Sequence, residues 1–98
     1  MAQLIYSRQA LSDLDRRIDF LLETDPTAAV ETAELISEAI QILGNHPLIG
    51  RVAELDMREL VISRGRTGYL ALDIDEEAHD AVLILAIRHQ REAGFVTE

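Results

Sequence analysis

Hydrophobic residues in the first half of the chain recur every three or four positions, which is typical of amphipathic helices. Ser7 can cap the first helix, which we expect to span roughly 14 residues and to end near Thr24. Asp25 and Pro26 begin a second helix as its N-cap and first helical residue, and Gly44-Asn45 ends it. The two apolar stripes consist of Leu11, Leu14, Ile18, Leu21 and Leu22, and of Ala29, Ala33, Ile36, Ile40 and Leu43. The pattern therefore predicts two antiparallel helices with a tight connection.

Short apolar runs before and after these helices predict the strands of a sheet. One run lies at residues 4–7, and three more follow Gly50 at 59–63, 69–74 and 81–87. The last run is apolar on both faces, which suits a central strand, and its periodicity is also compatible with a helix. The order β-α-α-β-β-β predicts a single α+β domain over residues 1–98, with the helix hairpin on one face of an antiparallel sheet.

The charged residues of the chain are strongly unbalanced. The 98 residues include 18 acidic side chains against 9 basic ones, for a net charge of −9, and every basic residue is an arginine. Such a field repels nucleic acid, so we expect no direct DNA binding by this chain alone. A site for an anion would have to be a local cluster of arginines.

Composition also bears on the cellular compartment. The chain has no cysteine, which excludes disulfides and thiolate metal sites and makes a reducing cytoplasm the default. No apolar run approaches the ~20 residues of a membrane span, and residues 1–8 lack the basic and apolar regions of a secretory signal. The 3 histidines are scattered along the sequence, so we expect no metal site. The expectation is a cytoplasmic protein that uses neither a membrane nor a cofactor.

A series of short motifs runs through most of the chain. The motifs are Ala10-Leu11 with Asp13-Leu14, Asp25-Pro26 with Ala28-Ala29, His46-Pro47-Leu48-Ile49-Gly50-Arg51, Met57-Arg58-Glu59-Leu60, Tyr69, and Ile84-Leu85-Ala86-Ile87-Arg88-His89-Gln90-Arg91. In this order and spacing they resemble the ParE/RelE superfamily of bacterial type II toxin–antitoxin toxins, which includes plasmid stabilisation proteins. The ParE-like branch is the most similar.

The resemblance implies a fold, a partner and one of two activities. The fold is the helix hairpin on a curved antiparallel sheet, and the partner is a small antitoxin whose C-terminal segment wraps and neutralises the toxin. ParE-like members act on DNA gyrase and block replication, whereas RelE-like members cleave mRNA in the ribosomal A site. We interpret the chain as a gyrase-inhibiting toxin. The alternatives are a ribosome-dependent mRNA endonuclease and a degenerate member that binds its antitoxin without poisoning the cell.

The endonuclease alternative requires groups that move protons beside the scissile phosphate. The resemblance would assign that chemistry to Arg64, Arg88 and His89, with Glu92 as a further proton-transfer group. Phe95 stands about where RelE-like enzymes place a tyrosine, and it has no hydroxyl. The chain also lacks lysine altogether, and arginine does not act as a base at neutral pH. Enzymatic activity is therefore the less favoured interpretation.

The gyrase interpretation needs a binding surface, which the resemblance places near the end of the last strand. The target-binding residues we expect are Arg58, Arg64, Arg88, Arg91 and Phe95. If both strands alternate regularly, the even-numbered residues of 58–64 and of 82–88 each share one face, which would gather three arginines. Taken singly, residues such as Arg88, Arg91 and Glu92 are better explained as a solvated strand end, and only as a set do they indicate a functional surface. The adjacent Arg58 and Glu59 are expected to form a structural salt bridge.

Overall fold

The computed structural model describes residues 2–64 and 67–90, without the side chains of Arg64 and Thr67. Both helices begin and end where local chemistry places them. Helix α1 (Arg8–Thr24) is capped by Ser7, whose hydroxyl accepts the Ala10 N–H at 3.0 Å. Helix α2 (Pro26–Asn45) is capped by the Asp25 carboxylate, which accepts the Ala28 N–H at 3.2 Å. The predicted hairpin is therefore confirmed, with one residue between its helices. Within the described part of the chain, no helix is both long and apolar enough to cross a membrane.

Five strands form one sheet in the order β1-β5-β4-β3-β2. Their bounds are Gln3–Tyr6 for β1, Arg51–Val52 for β2, Met57–Arg64 for β3, Thr67–Glu76 for β4 and Ala81–His89 for β5. The run at 81–87 is thus a strand with a neighbour on each side, as its apolar faces favour. The α+β class is confirmed with one addition. Strand β1 pairs parallel with β5, because the chain returns through the helix hairpin before the sheet resumes.

The two-residue strand β2 lies at the edge of the sheet and was not predicted from the sequence. It is too short for an alternating pattern, and both of its residues are exposed. Gly50, directly before it, lies so close to β3 that an added Cβ would stand 2.8 Å from the carbonyl oxygen of Glu59. The absence of a side chain at Gly50 therefore permits β2 to pair with β3.

The molecule has two layers, with the helix hairpin on one face of the sheet. The largest core side chains come from α2 and from the helix-facing positions of β3, β4 and β5: Ile36, Ile40, Leu43, Ile62, Tyr69, Val82, Ile84 and Ile87. The opposite side of the sheet, here called the open face, has no helix of the described chain against it. Strand pairing places Leu70, Leu72, Leu83, Ala86 and Arg88 there.

Candidate functional site

A β-bulge in β5 determines which side chains point to which face near the end of that strand. Leu72 pairs with Ala86, whereas the next residue of β4, Asp73, pairs with Ile84, so Leu85 is an extra residue. Before the bulge, even-numbered residues such as Ile84 face the helices, and after it odd-numbered ones such as Ile87 do. Our expectation that positions 82, 84, 86 and 88 share one face was therefore wrong.

The bulge is held by two residues from the beginning of the chain. The backbone N–H of Ser7 donates to the Ile84 carbonyl at 2.8 Å, and its hydroxyl donates to the Leu85 carbonyl at 2.9 Å. In the second turn of α1, the Asp13 carboxylate accepts the N–H of Ile87 at 3.0 Å. Strand β1 stops pairing with β5 at Ile84. Ser7 and Asp13 thus satisfy polar backbone groups of β5 where its neighbouring strand ends.

Asp13 is only 6% exposed, although the sequence pattern placed it among the polar residues of α1. Besides the Ile87 N–H, its carboxylate accepts hydrogen bonds from Gln9 at 2.7 Å and from the Arg16 guanidinium at 2.9 Å. Burial of a carboxylate is tolerated when its oxygens are hydrogen-bonded and a cation lies beside it. Asp13 therefore has a structural role, and it fixes the strand segment that ends in Arg88 and His89.

His89 and Arg88, which end this strand, project to opposite sides of the sheet. His89 lies on the helix side, with its ring edge-on to Tyr69 at 5.3 Å between centroids and an interplanar angle of 87°. Arg88 is half-buried on the open face, opposite Leu70 of β4 and two residues beyond the small Ala86. The structure thus separates two of the three residues that an endonuclease site was expected to combine.

A pocket of about 300 Å³ lies between α1 and the ends of β4 and β5, around His89. Its polar wall includes Arg16 and Arg17, and its apolar wall includes Phe20 and the buried Tyr69. The Arg17 guanidinium lies 5.8 Å from the centre of the Phe20 ring, within the range of a cation–π contact. This pocket was missed by sequence reasoning, because its residues come from a helix and two strands that are distant in sequence.

Arg58 does not share the open face with Arg88, contrary to the expected common arginine face. Its strand register sets it opposite Asp73, a helix-side position of β4. Its guanidinium donates to the carbonyls of Gly50 at 3.0 Å and Leu48 at 3.4 Å, so it holds the loop before β2. The expected Arg58–Glu59 salt bridge is also wrong. Adjacent strand residues point to opposite faces, and Glu59 instead pairs with Arg51 at 3.1 Å.

The structure describes only part of the remaining site residues that we expected from the sequence. The backbone of Arg64 ends β3 and pairs with Thr67. Arg91, Glu92 and Phe95 lie outside the described residues. Among residues 2–64 and 67–90, no three His, Asp or Glu side chains gather closely enough to hold a metal ion. Of the expected target-binding set, the structure thus places Arg88 alone on the open face with a described side chain.

Asp73 is a second buried carboxylate, and unlike Asp13 it has no hydrogen-bond partner among the described residues. Its side chain is 0% exposed. Burial, with a smaller contribution from the charge of Asp75, raises the pKa of Asp73 to about 6 against the opposing field of Arg58. The alternation of β4 carried a signal for this position, since Asp73 is in phase with the core residues Tyr69 and Ala71.

Comparison with known proteins gives consistent similarities over most of the chain. Residues 4–94 match the family model of the ParE toxin of the type II toxin–antitoxin system parDE. Among curated proteins, Toxin RelE3 of Caulobacter vibrioides is 35% identical over 85 residues, which cover 86% of this chain and 89% of that protein. Toxin RelE2 of the same organism is 36% identical over 62 residues, covering 63% of this chain and 70% of that protein.

Two solved structures share the arrangement of helices and strands. The chromosomal ParDE system from P. aeruginosa superposes with a TM-score of 0.75 at 25% identity, covering 91% of this chain and 96% of that one. The intact E. coli RelBE toxin–antitoxin complex superposes with a TM-score of 0.58 at 12% identity, covering 90% and 95%. The second similarity concerns the fold alone.

Proposed function

Because this chain belongs to the ParE toxin family of type II toxin–antitoxin systems, we propose that it inhibits DNA gyrase and so blocks replication. It is the toxin component of such a system, and its partner is a cognate antitoxin. Family membership leaves the cellular target of the toxin open, and our proposal is that this target is DNA gyrase. It also places the chain in the cytoplasm, where gyrase acts, and gives it no catalytic role.

The observation that carries the choice of target is the divergence of Arg88 and His89. Cleavage of RNA without a metal requires a proton-transfer group and a cation to meet at one phosphate. Here the imidazole packs against Tyr69 on the helix side, and the guanidinium lies on the open face. The two side chains cannot approach the same phosphate while β5 keeps its register. A surface that binds a protein target does not need such convergence.

Arg88 is the residue that we propose contacts the target. It lies opposite Leu70 and two residues beyond the small, buried Ala86 on the open face. A half-buried arginine within an apolar surface is a common anchor at protein interfaces. The proposed target surface is therefore the open face around Arg88. Arg64, Arg91 and Phe95 stay as contacts expected from the sequence.

The alternative activity, mRNA cleavage at the ribosome, is supported by one arrangement in the structure. The pocket around His89 combines an imidazole with Tyr69, Arg16 and Arg17, which are residue types that transfer protons and bind phosphate. Arg16 is already engaged by Asp13, which reduces its capacity to neutralise a phosphate. We rank this alternative second.

A supercoiling assay with the purified chain tests the proposal. Relaxed plasmid, gyrase and ATP are incubated with the wild-type chain, with Arg88→Ala and with His89→Ala. We expect wild type and His89→Ala to inhibit supercoiling and Arg88→Ala to inhibit it at least tenfold more weakly. In parallel, the same proteins are added to a translation reaction, and mRNA cleavage at A-site codons is mapped. Cleavage that depends on His89, without an effect on supercoiling, would establish the alternative instead.

A further inference from the structure

Arg88 is a half-buried cation without an acidic partner in the part of the chain that the structure describes. Other arginines have one: Arg16 pairs with Asp13 at 2.9 Å, and Arg51 pairs with Glu59 at 3.1 Å. Carboxylates are plentiful, since the chain has 18 acidic residues against 9 basic ones. Even so, no described side chain forms an ion pair or a hydrogen bond with the Arg88 guanidinium.

The surroundings of Arg88 on the open face are apolar. Leu70 lies opposite it in β4, and the exposed Val61 lies opposite Leu70 in β3, so the three form one row across the sheet. Partial burial removes some of the water around a guanidinium, which is unfavourable unless an opposite charge lies beside it. A carboxylate that arrives from another protein would supply that charge.

The side chain of Gln90 lies across Gly68 of β4. A Cβ added at Gly68 would overlap the Gln90 carboxamide, so the glycine permits this position. Side chains two residues apart on a strand share a face, and a Cβ at Gly68 would therefore point the same way as Leu70 does. The Gln90 carboxamide thus lies on the open face, in the row next to Arg88.

Ser63 places a hydroxyl in the same row as Gln90. It pairs with Gly68 across β3 and β4, is exposed, and alternates with the core residue Ile62, so it also faces the open side. We call Ser63, Arg88 and Gln90 the open-face donor cluster. The three side chains carry a guanidinium, a carboxamide and a hydroxyl, all of which donate hydrogen bonds. An ionised carboxylate only accepts them, and it pairs with arginine through both oxygens.

Charge favours a carboxylate of a protein over a phosphate of nucleic acid as the ligand of this cluster. A nucleic acid strand brings a series of phosphates that several cations must neutralise, and the net charge of −9 repels it. On the open face, Arg88 is the one arginine with a described side chain. A single acidic residue in an apolar protein surface needs one cation and apolar neighbours, which Arg88, Leu70 and Val61 provide.

We infer that the open-face donor cluster binds the carboxylate of an aspartate or glutamate of DNA gyrase. Arg88 is the cation of this contact, Gln90 and Ser63 are its further donors, and Gly68 positions the Gln90 side chain. The inference rests on the proposed gyrase target, and it adds the chemical class of the group that is bound and a specificity role for Gln90.

Cross-linking identifies the bound group directly, because the chain contains no lysine and Arg88→Lys gives it a single side-chain amine. A water-soluble carbodiimide joins an amine to a carboxylate in contact with it. Gyrase free of DNA is treated together with Arg88→Lys or with Arg8→Lys, the matched control at an exposed arginine of α1. Mass spectrometry maps the links. We expect the introduced amine of Arg88→Lys to be joined to an aspartate or glutamate of gyrase, and that of Arg8→Lys to be joined to none.

Dissociation constants for DNA-free gyrase provide the second readout. Arg88→Met keeps the length of the side chain and removes its charge, and we expect it to bind at least tenfold more weakly than wild type. Arg88→Lys keeps the charge and should bind more tightly than Arg88→Met. Gln90→Ala should weaken binding at least threefold, whereas Gln41→Ala, at an exposed glutamine of α2, should leave it within twofold.

The outcomes separate this inference from the proposal on which it rests. A wild-type chain that neither binds gyrase nor inhibits supercoiling overturns both. If the wild type does both, Arg88→Met that binds as tightly as wild type overturns the carboxylate contact alone. Arg88→Lys overturns it too if it binds no better than Arg88→Met, or if it binds without a link to a gyrase carboxylate. Equal affinities of Gln90→Ala and Gln41→Ala overturn the specificity role of Gln90.

Discussion

The Asp13 carboxylate accepts the backbone N–H of Ile87 across 74 positions of sequence, at a distance of 3.0 Å. This bond joins the second turn of α1 to β5 immediately after the bulge. Ile87 is the first helix-facing residue beyond the extra residue Leu85. By holding its N–H, the bond fixes which residues at the end of β5 face the helices. Asp13 thus determines which of the adjacent residues Arg88 and His89 faces the helices, although it lies far from both in sequence.

Removal of this carboxylate should destabilise the protein more than removal of a neighbouring one. In Asp13→Ala the Ile87 N–H loses its partner in a buried setting, and we expect a loss of about 2–3 kcal/mol in the free energy of unfolding. Urea denaturation followed by circular dichroism measures it. Asp15→Ala, an exposed position on the same helix, is the control and should change stability little. Equal effects of the two variants would contradict the role assigned to Asp13.

Ser7 combines two functions that substitutions can separate. Its hydroxyl caps α1 and also donates to the Leu85 carbonyl at the bulge. We expect Ser7→Ala to cost about 1–2 kcal/mol, since it removes the helix cap and leaves that carbonyl with one donor fewer. Ser7→Asp keeps an acceptor for the helix cap and lacks the hydroxyl donor to Leu85, so its stability should lie between that of Ser7→Ala and that of the wild type. A thermal melt of the three proteins measures this order, and Ser7→Asp equal to wild type would show that the Leu85 contact is dispensable.

The sequence predicted features whose causes are local. Ser7 and Asp25 cap the helices through residues three positions away, and that spacing is visible in the chain. The bulge at Leu85 has no such mark, because its neighbours are ordinary strand residues and its partners, Ser7 and Asp13, lie far away in sequence. The prediction of a common arginine face was wrong for this reason, because it assumed that side chains alternate regularly along β5 through the position of the bulge.

The geometry at the end of the last strand differed from the arrangement that the sequence predicted. The C-terminal end of the last strand was identified through the resemblance, and Arg88 does reach the open face there. The structure assigned Arg58 to a loop contact, which no local pattern could indicate, since its acceptors are the backbone carbonyls of Leu48 and Gly50. Backbone acceptors carry no sequence signature.

Replacement of Arg88 should separate toxicity from folding. Arg88→Ala removes a half-buried side chain from the open face, away from the helix-side core, and we expect it to change stability by less than about 1 kcal/mol. Growth after induction without antitoxin should recover, whereas Arg8→Ala, an exposed arginine on α1, should remain as toxic as wild type. An unfolded Arg88→Ala protein by circular dichroism would contradict the surface position of Arg88.

Asp73, which is buried and has no hydrogen-bond partner among the described residues, should make the fold less stable as the pH rises. The pKa of this carboxyl is about 6 in the folded protein, above its ordinary value of 3.8, so the folded state binds the proton more tightly than the unfolded state. Its unfavourable contribution is absent below the ordinary pKa, grows between about pH 4 and 6, and is complete above the folded pKa. Deprotonation at pH 8 should cost up to about 3 kcal/mol relative to the protonated form.

Asp73→Asn tests this expectation, because an amide has the shape of the carboxyl and never ionises. The difference in unfolding free energy between variant and wild type should increase in favour of the variant from pH 4 to pH 8. Asp75→Asn removes the neighbouring charge that raises the pKa of Asp73. In a chain that keeps Asp73, it should therefore lower the pH at which the loss of stability sets in. Carbon-13 NMR titration of the Asp73 carboxyl measures that pKa directly. A titration midpoint near 4 would mean that Arg58 offsets the burial of Asp73, and the stability difference should then be independent of pH above 5.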